Sequence, residues 1–162
     1  MDFVGPMIIR IDSAGSPNVY ADNNYELESG KAIETLEGTD AYVISCGSNL
    51  YEALMAAKAM KEKYGASVGV LDVHTIKPLD AASIIRVANK TGNIVTVEDH
   101  SINGGLGGAV AEVLCEAGYQ GKFKRLGMPD EFAVLGSLDA IYHYYKMDRD
   151  GIEEALTKML GK

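Results

Sequence analysis

Residues 71–108 read LDVHTIKPLDAASIIRVANKTGNIVTVEDHSINGGLGG, and this stretch decides the fold. It closes one apolar run, Ser67–Leu71, and contains another, Asn93–Val97, each too short for a helix and bounded by turn chemistry. Such runs are expected of strands covered on both faces. Between them Pro78 presets the backbone just ahead of a helix, and Asp80 supplies a capping carboxylate. Ile84, Ile85 and Ala88 then fall on one side of a helix over Asp80–Asn89. A second helix is expected over Leu106–Ala117, on Leu106, Ala109, Val110, Val113 and Leu114. A strand, a helix and a strand at this spacing predict a right-handed crossover between parallel strands.

Outward from this unit the alternation continues. Ala41–Cys46 is a third buried-strand run, and Asn49 is placed to cap the helix after it. Leu50, Ala53, Leu54, Ala57 and Met60 recur at intervals of three and four, up to a stop at Tyr64-Gly65. Lys31–Leu36 and Phe123–Leu126 predict short strands, and two helices close the chain. Asp150 with Glu153 spells a capping box for the last helix. The fold class predicted is α/β, a Rossmann-like three-layer αβα arrangement around a mainly parallel sheet. Pro6–Ile11 reads as a further strand, and residues 12–30, rich in Ser, Asn, Asp and Gly, read as a linker at a domain boundary.

Composition narrows the function. The 162 residues carry a net charge of −8 and no clustered basic tract, which argues against nucleic acid. No apolar run approaches the roughly 20 residues of a membrane span, and there is no secretory signal pattern. Cys46 and Cys115 lie in apolar stretches without C-x-x-C spacing, which predicts buried thiols, a reducing cytoplasmic compartment and no metal site.

Chemistry-bearing residues gather after the strands. Gly104, Gly105, Gly107 and Gly108 lie where phosphate-binding loops occur, yet they spell neither the dinucleotide fingerprint nor a P-loop. Small residues that let a helix start close against the sheet explain them better than an anion site. Glu98, Asp99 and His100 follow a strand at its carboxyl end, the side on which open α/β sheets place ligands. Consecutive residues on an extended chain point opposite ways, so the three do not converge. Glu98 and His100 are expected to share a face and tie down the glycine loop. His74 belongs to the turn ahead of a helix, and His143 stands among Tyr142, Tyr144 and Tyr145, where core packing or a subunit contact is expected. No nucleophile–base signature is present. The residues alone give an acidic α/β domain without a self-evident active site.

The turn D-x-H-T-I-K-P-L-D at residues 72–80, with V-E-D-H at 97–100 and G-G-L-G at 104–107, resembles the carboxy-terminal domain of transketolase. Residues 5–11 (GPMIIRI) resemble the last strand of that enzyme's pyrimidine-binding domain. Residues 18–32 (NVYADNNYELESGKA) resemble its linker, and residues 148–156 (DRDGIEEAL) its final helix. The 72–80 turn is shared with the pyruvate dehydrogenase beta subunit and deoxyxylulose-phosphate synthase.

The resemblance implies that residues 1–30 are a remnant of the pyrimidine-binding domain with its linker, and residues 31–162 the carboxy-terminal domain. It implies ketol transfer between sugar phosphates by a complete, dimeric enzyme using thiamine diphosphate and Mg. The cofactor segments lie outside this sequence, so this chain is expected to hold no cofactor, to be inactive alone, and to need the thiamine-binding half as its partner. Transketolase-like chains often carry two arginines three apart after the first strand, the second on the sugar phosphate. Here Arg10 matches the first and Ser13 stands at the second, so Arg10 is the expected substrate-binding residue, or phosphate binding is weaker, or the substrate differs. The alternatives are a 2-oxo-acid dehydrogenase beta subunit docking an acyltransferase, and a stand-alone module binding a small anion.

Overall fold

A computed structural model describes residues 4–11, 15–20 and 25–162. Five strands form one sheet in the order β1-β3-β2-β4-β5: β1 (Ile33–Leu36), β2 (Ala41–Ser45), β3 (Val68–Asp72), β4 (Asn93–Ser101) and β5 (Lys122–Met128). β2, β3, β4 and β5 run parallel, and β1 joins the β3 edge antiparallel. Between and after them come α1 (Asn49–Tyr64), α2 (Ala81–Thr91), α3 (Leu106–Glu116), α4 (Leu138–Tyr144) and α5 (Arg149–Leu160). This is the α/β, mainly parallel layering that the periodicity predicts.

The strand alternation builds two cores. Ala41 and Val43 of β2 face α1 and α5, with Ala53, Met60, Ile152 and Leu156. Tyr42 and Ile44 face α2 and α3, with Ile84, Val87, Leu106 and Val110. Every residue of β2 and β3 is buried, as strands covered on both faces require.

Local chemistry sets the helix ends. Asp80 caps α2, its Oδ1 accepting from Ser83 N at 3.1 Å, while Oδ2 accepts from Ala32 N at 2.9 Å. One carboxylate thus pins the segment before β1 to the start of α2. Burial pushes the Asp80 carboxyl upward, but these amide bonds outweigh it and hold the group below the ordinary carboxylate range.

Several expectations need correction. Pro6–Ile11 forms no strand: among the described residues it has no ladder partner, and Ile8, Ile9 and Ile11 are exposed. An apolar run reports burial but not which chain supplies the neighbour. Asn49 does not cap α1; it is buried within the helix, where its Nδ2 donates to Met147 O at 3.0 Å. The cap of α5 is Asp148, accepting from Gly151 N at 2.9 Å, whereas Asp150 pairs with Arg149. Val87 is buried on α2 where the periodicity predicts Ile85, and Cys115 is exposed on α3. β4 extends to Ser101, which carries Glu98, Asp99 and His100 within the strand.

Candidate functional site at the carboxyl edge of the sheet

The carboxyl ends of β3, β2 and β4 bring together Asp72 with His74, Cys46, and Glu98 with Asp99. Glu98 is almost wholly buried. Its Oε2 accepts from Leu106 N at 2.7 Å and its Oε1 from Gly107 N at 2.8 Å. These are the first free N–H groups of α3, whose N-cap, Gly105, has no side chain to answer them. A carboxylate at this end also meets the positive pole of the helix.

The fit requires small residues. A Cβ on Gly105 would lie 1.9 Å from Glu98 Oε2, and one on Gly107 would lie 2.8 Å from Thr96 Oγ1. Gly104 turns the chain into this cap at φ +77.

His100 does not take part in that clamp. It is exposed, its Nδ1 lying 3.0 Å from Ser101 O. The physical reason is reach: Glu98 is buried against the loop, while the strand carries His100 two residues further, past the end of the core. Asp99, on the alternate side, receives Arg10 instead. Arg10 Nη1 donates to the Asp99 carbonyl oxygen at 2.8 Å, and Nη2 lies 3.4 Å from Oδ2. Ser13 lies outside the described residues.

Asp72 and Tyr20 make a second clamp that the sequence reading missed. The Tyr20 hydroxyl donates to Asp72 Oδ2 at 2.5 Å, and Tyr20 stacks on Tyr25 with centroids 4.2 Å apart. Burial, and after it the Asp72 carboxylate, raises the Tyr20 phenol. Burial also raises the Asp72 carboxyl, against the lowering effect of the Tyr20 hydrogen bond. The available signal was the pair of tyrosines, Tyr20 and Tyr25, inside a linker rich in Ser, Asn, Asp and Gly.

Next to these groups the Cys46 thiol is pushed up to about 12 by burial, then by the Glu98 and Asp72 carboxylates. It stays a thiol at neutral pH and is no nucleophile. His74 Nδ1 lies 2.9 Å from Thr75 Oγ1, and its buried Nε2 has no hydrogen-bond partner among the described residues. The edge is therefore an array of acceptors holding the glycine loop, Arg10 and Tyr20.

Elsewhere, His143, Asp148 and Asp150 have ligand atoms within 4.8 Å of one another. Asp148 already serves Gly151 N and His143 Nδ1, and Asp150 serves Arg149. These internal bonds account for the cluster. Tyr142 and Tyr145 pack into the core, whereas Tyr144 is exposed. Among the described residues no helix is long and apolar enough to cross a membrane.

The sequence model of the family described as "Transketolase, C-terminal domain" matches residues 30–152. The chain belongs to this transketolase C-terminal domain family. It is 39% identical over 162 residues to a protein of Phocaeicola vulgatus described as a subunit of apulose-4-phosphate transketolase, covering 100% of this chain and 51% of that one. It is 35% identical over 164 residues to a putative transketolase C-terminal section of Methanocaldococcus jannaschii, covering 99% of this chain and 50% of that one. A solved structure described as a split gene transketolase, inactive beta4 tetramer, superposes with TM-score 0.83 at 33% identity, covering 91% of this chain and 47% of that one. This transketolase-family chain thus spans about half the length of the relatives it matches.

Proposed function

We propose that this chain is the C-terminal part of a transketolase, which joins a thiamine-binding partner subunit and transfers two-carbon ketol units between sugar phosphates. The observation that carries this reading is the match along the whole chain to a relative described as one subunit of a transketolase. In this reading residues 31–162 are the domain that supports dimer architecture, and residues 1–30 are the end of the pyrimidine-binding domain and its linker. The clamps at Asp99 and Asp72 agree with it, because they seat Arg10 and Tyr20 of that leading segment on the carboxyl edge.

The residues of the carboxyl edge do not fit the diphosphate of thiamine diphosphate, which the family uses with Mg in the complete enzyme. A diphosphate needs amide and cationic donors. Here the Leu106 and Gly107 amides are bonded to Glu98, which sets a carboxylate against the start of α3 where a diphosphate would lie. The same bonds disfavour a stand-alone anion-binding module. Arg10 uses two of its nitrogens on Asp99, which leaves guanidinium N–H donors for a sugar phosphate in the assembled enzyme.

Calorimetry with thiamine diphosphate and Mg on the purified chain, followed by a ketol-transfer assay with and without the partner subunit, tests the proposal. Activity is expected on mixing alone. Micromolar cofactor binding by this chain, or turnover of xylulose 5-phosphate with ribose 5-phosphate without a partner, overturns it.

A further inference from the structure

The strongest unassigned feature lies at the opposite end of the sheet order, along β5. A groove of about 700 Å³ runs between β5, the end of α4 and α5. Lys122, Lys124, Arg125, Lys146 and Lys158 line it, against one carboxylate, Glu154. In a chain of net charge −8 this is a pronounced segregation of positive charge. Its floor is apolar, made by Leu126 and Met159, with Tyr144 exposed at the rim.

The cations are only partly answered from within. Lys146 and Lys158 share Glu154 at 3.5 and 2.6 Å. Lys122 donates to Met159 O at 2.6 Å and Arg125 to Ile102 O at 2.7 Å, both neutral carbonyls. Lys124 is exposed and has no ion pair among the described residues.

Among the described residues β5 is also the edge of the sheet, paired with β4 alone. Lys122 N donates to Gly92 O at 2.8 Å, which turns the backbone of residue 122 toward β4. Strand alternation then turns 124 and 126 the same way and leaves the N–H and C=O groups of Phe123, Arg125 and Gly127 directed outward. Beyond the strand, Phe132 and Leu135 are fully exposed.

From these features we infer that β5 and its basic groove receive an acidic, extended segment of a partner protein, which pairs with the free edge as a sixth strand while its carboxylates meet the lysines. Lysines on an edge strand also guard against unwanted pairing. Here, however, Lys146 and Lys158 reach the same groove from outside the strand, over an apolar floor. Main-chain pairing would supply affinity, and the charges would select an acidic sequence. This inference does not depend on the transketolase assignment.

The test uses the full chain and two capped octapeptides, one alternating Glu and Val, the other Lys and Val, with inorganic phosphate as an ion-only control. The acidic peptide is expected to bind, to weaken steeply between 50 and about 300 mM salt, and to slow amide exchange at Phe123, Arg125 and Gly127. Lys124→Glu is expected to lower that affinity at least about tenfold, with unchanged thermal unfolding because Lys124 holds nothing in the fold. Equal binding of the basic peptide, binding without protection of those three amides, an effect of phosphate equal to that of the acidic peptide, or no binding at millimolar peptide each overturns the inference.

Discussion

Replacing Glu98 by Gln tests the carboxyl-edge clamp most directly. The carboxylate is almost wholly buried and accepts two short amide bonds, from Leu106 N at 2.7 Å and Gly107 N at 2.8 Å. A glutamine keeps one acceptor and turns an NH₂ donor toward the other amide. One bond to a charged group, worth roughly 1.5–3 kcal/mol, is lost, and a buried donor left unpaired costs about 1–3 kcal/mol more. Loss of the charge at the α3 N-terminus adds about 0.3–1 kcal/mol. Relief of the buried carboxylate's desolvation offsets part of this, so the net destabilisation is about 2–4 kcal/mol. For a chain of this size that lowers the unfolding temperature by about 4–16 °C. Thermal and urea unfolding of both proteins gives the number, and amide exchange at Leu106 and Gly107 localises it. A variant within about 0.5 kcal/mol of the parent, with those amides equally protected, would show that Glu98 does not hold the loop.

Gly105→Ala is expected to destabilise more than Gly104→Ala in urea titrations. Its methyl meets Glu98 Oε2 at 1.9 Å, whereas Gly104 has open space and pays for its positive φ alone, about 1–2 kcal/mol. Tyr20→Phe removes the donor to buried Asp72 Oδ2; a loss of about 1–3 kcal/mol is expected, with faster proteolysis between residues 20 and 30. For Asp80 the folded carboxyl lies below its ordinary range, so its contribution is present above the unfolded value near about 3.9 and is lost as pH falls through the folded one. The stability difference between the parent and Asp80→Ala should therefore hold from pH 7 to 5 and shrink below about pH 4; a difference that grows on acidification refutes the assignment. Arg10→Ala in the assembled enzyme is expected to raise KM for a phosphorylated acceptor more than for its unphosphorylated sugar.

The layers of this fold were legible because burial on both faces leaves a direct trace: the apolar runs read over Ala41–Cys46 and Ser67–Leu71, closed by turns, became the wholly buried β2 and β3. Asp80 was legible as a cap because its role is local, three residues from the amide it binds. The last helix shows where local reading slips. Asp148 and Asp150 are both able caps, and the choice between them depends on where the chain leaves Met147, a core residue.

What the sequence determined by itself was periodic or near in chain: the alternation of strands and helices, the capping of α2, and the need for glycines before α3. Tertiary structure alone decided which acceptors those glycines make room for, since Glu98 lies eight residues from Leu106 and reaches it only because β4 and α3 are packed side by side. The same holds for Tyr20 on Asp72, 52 residues apart, and Arg10 on Asp99, 89 apart. A hydrogen bond between distant residues has no period and no fixed spacing, so only the packed sheet brings its partners into range.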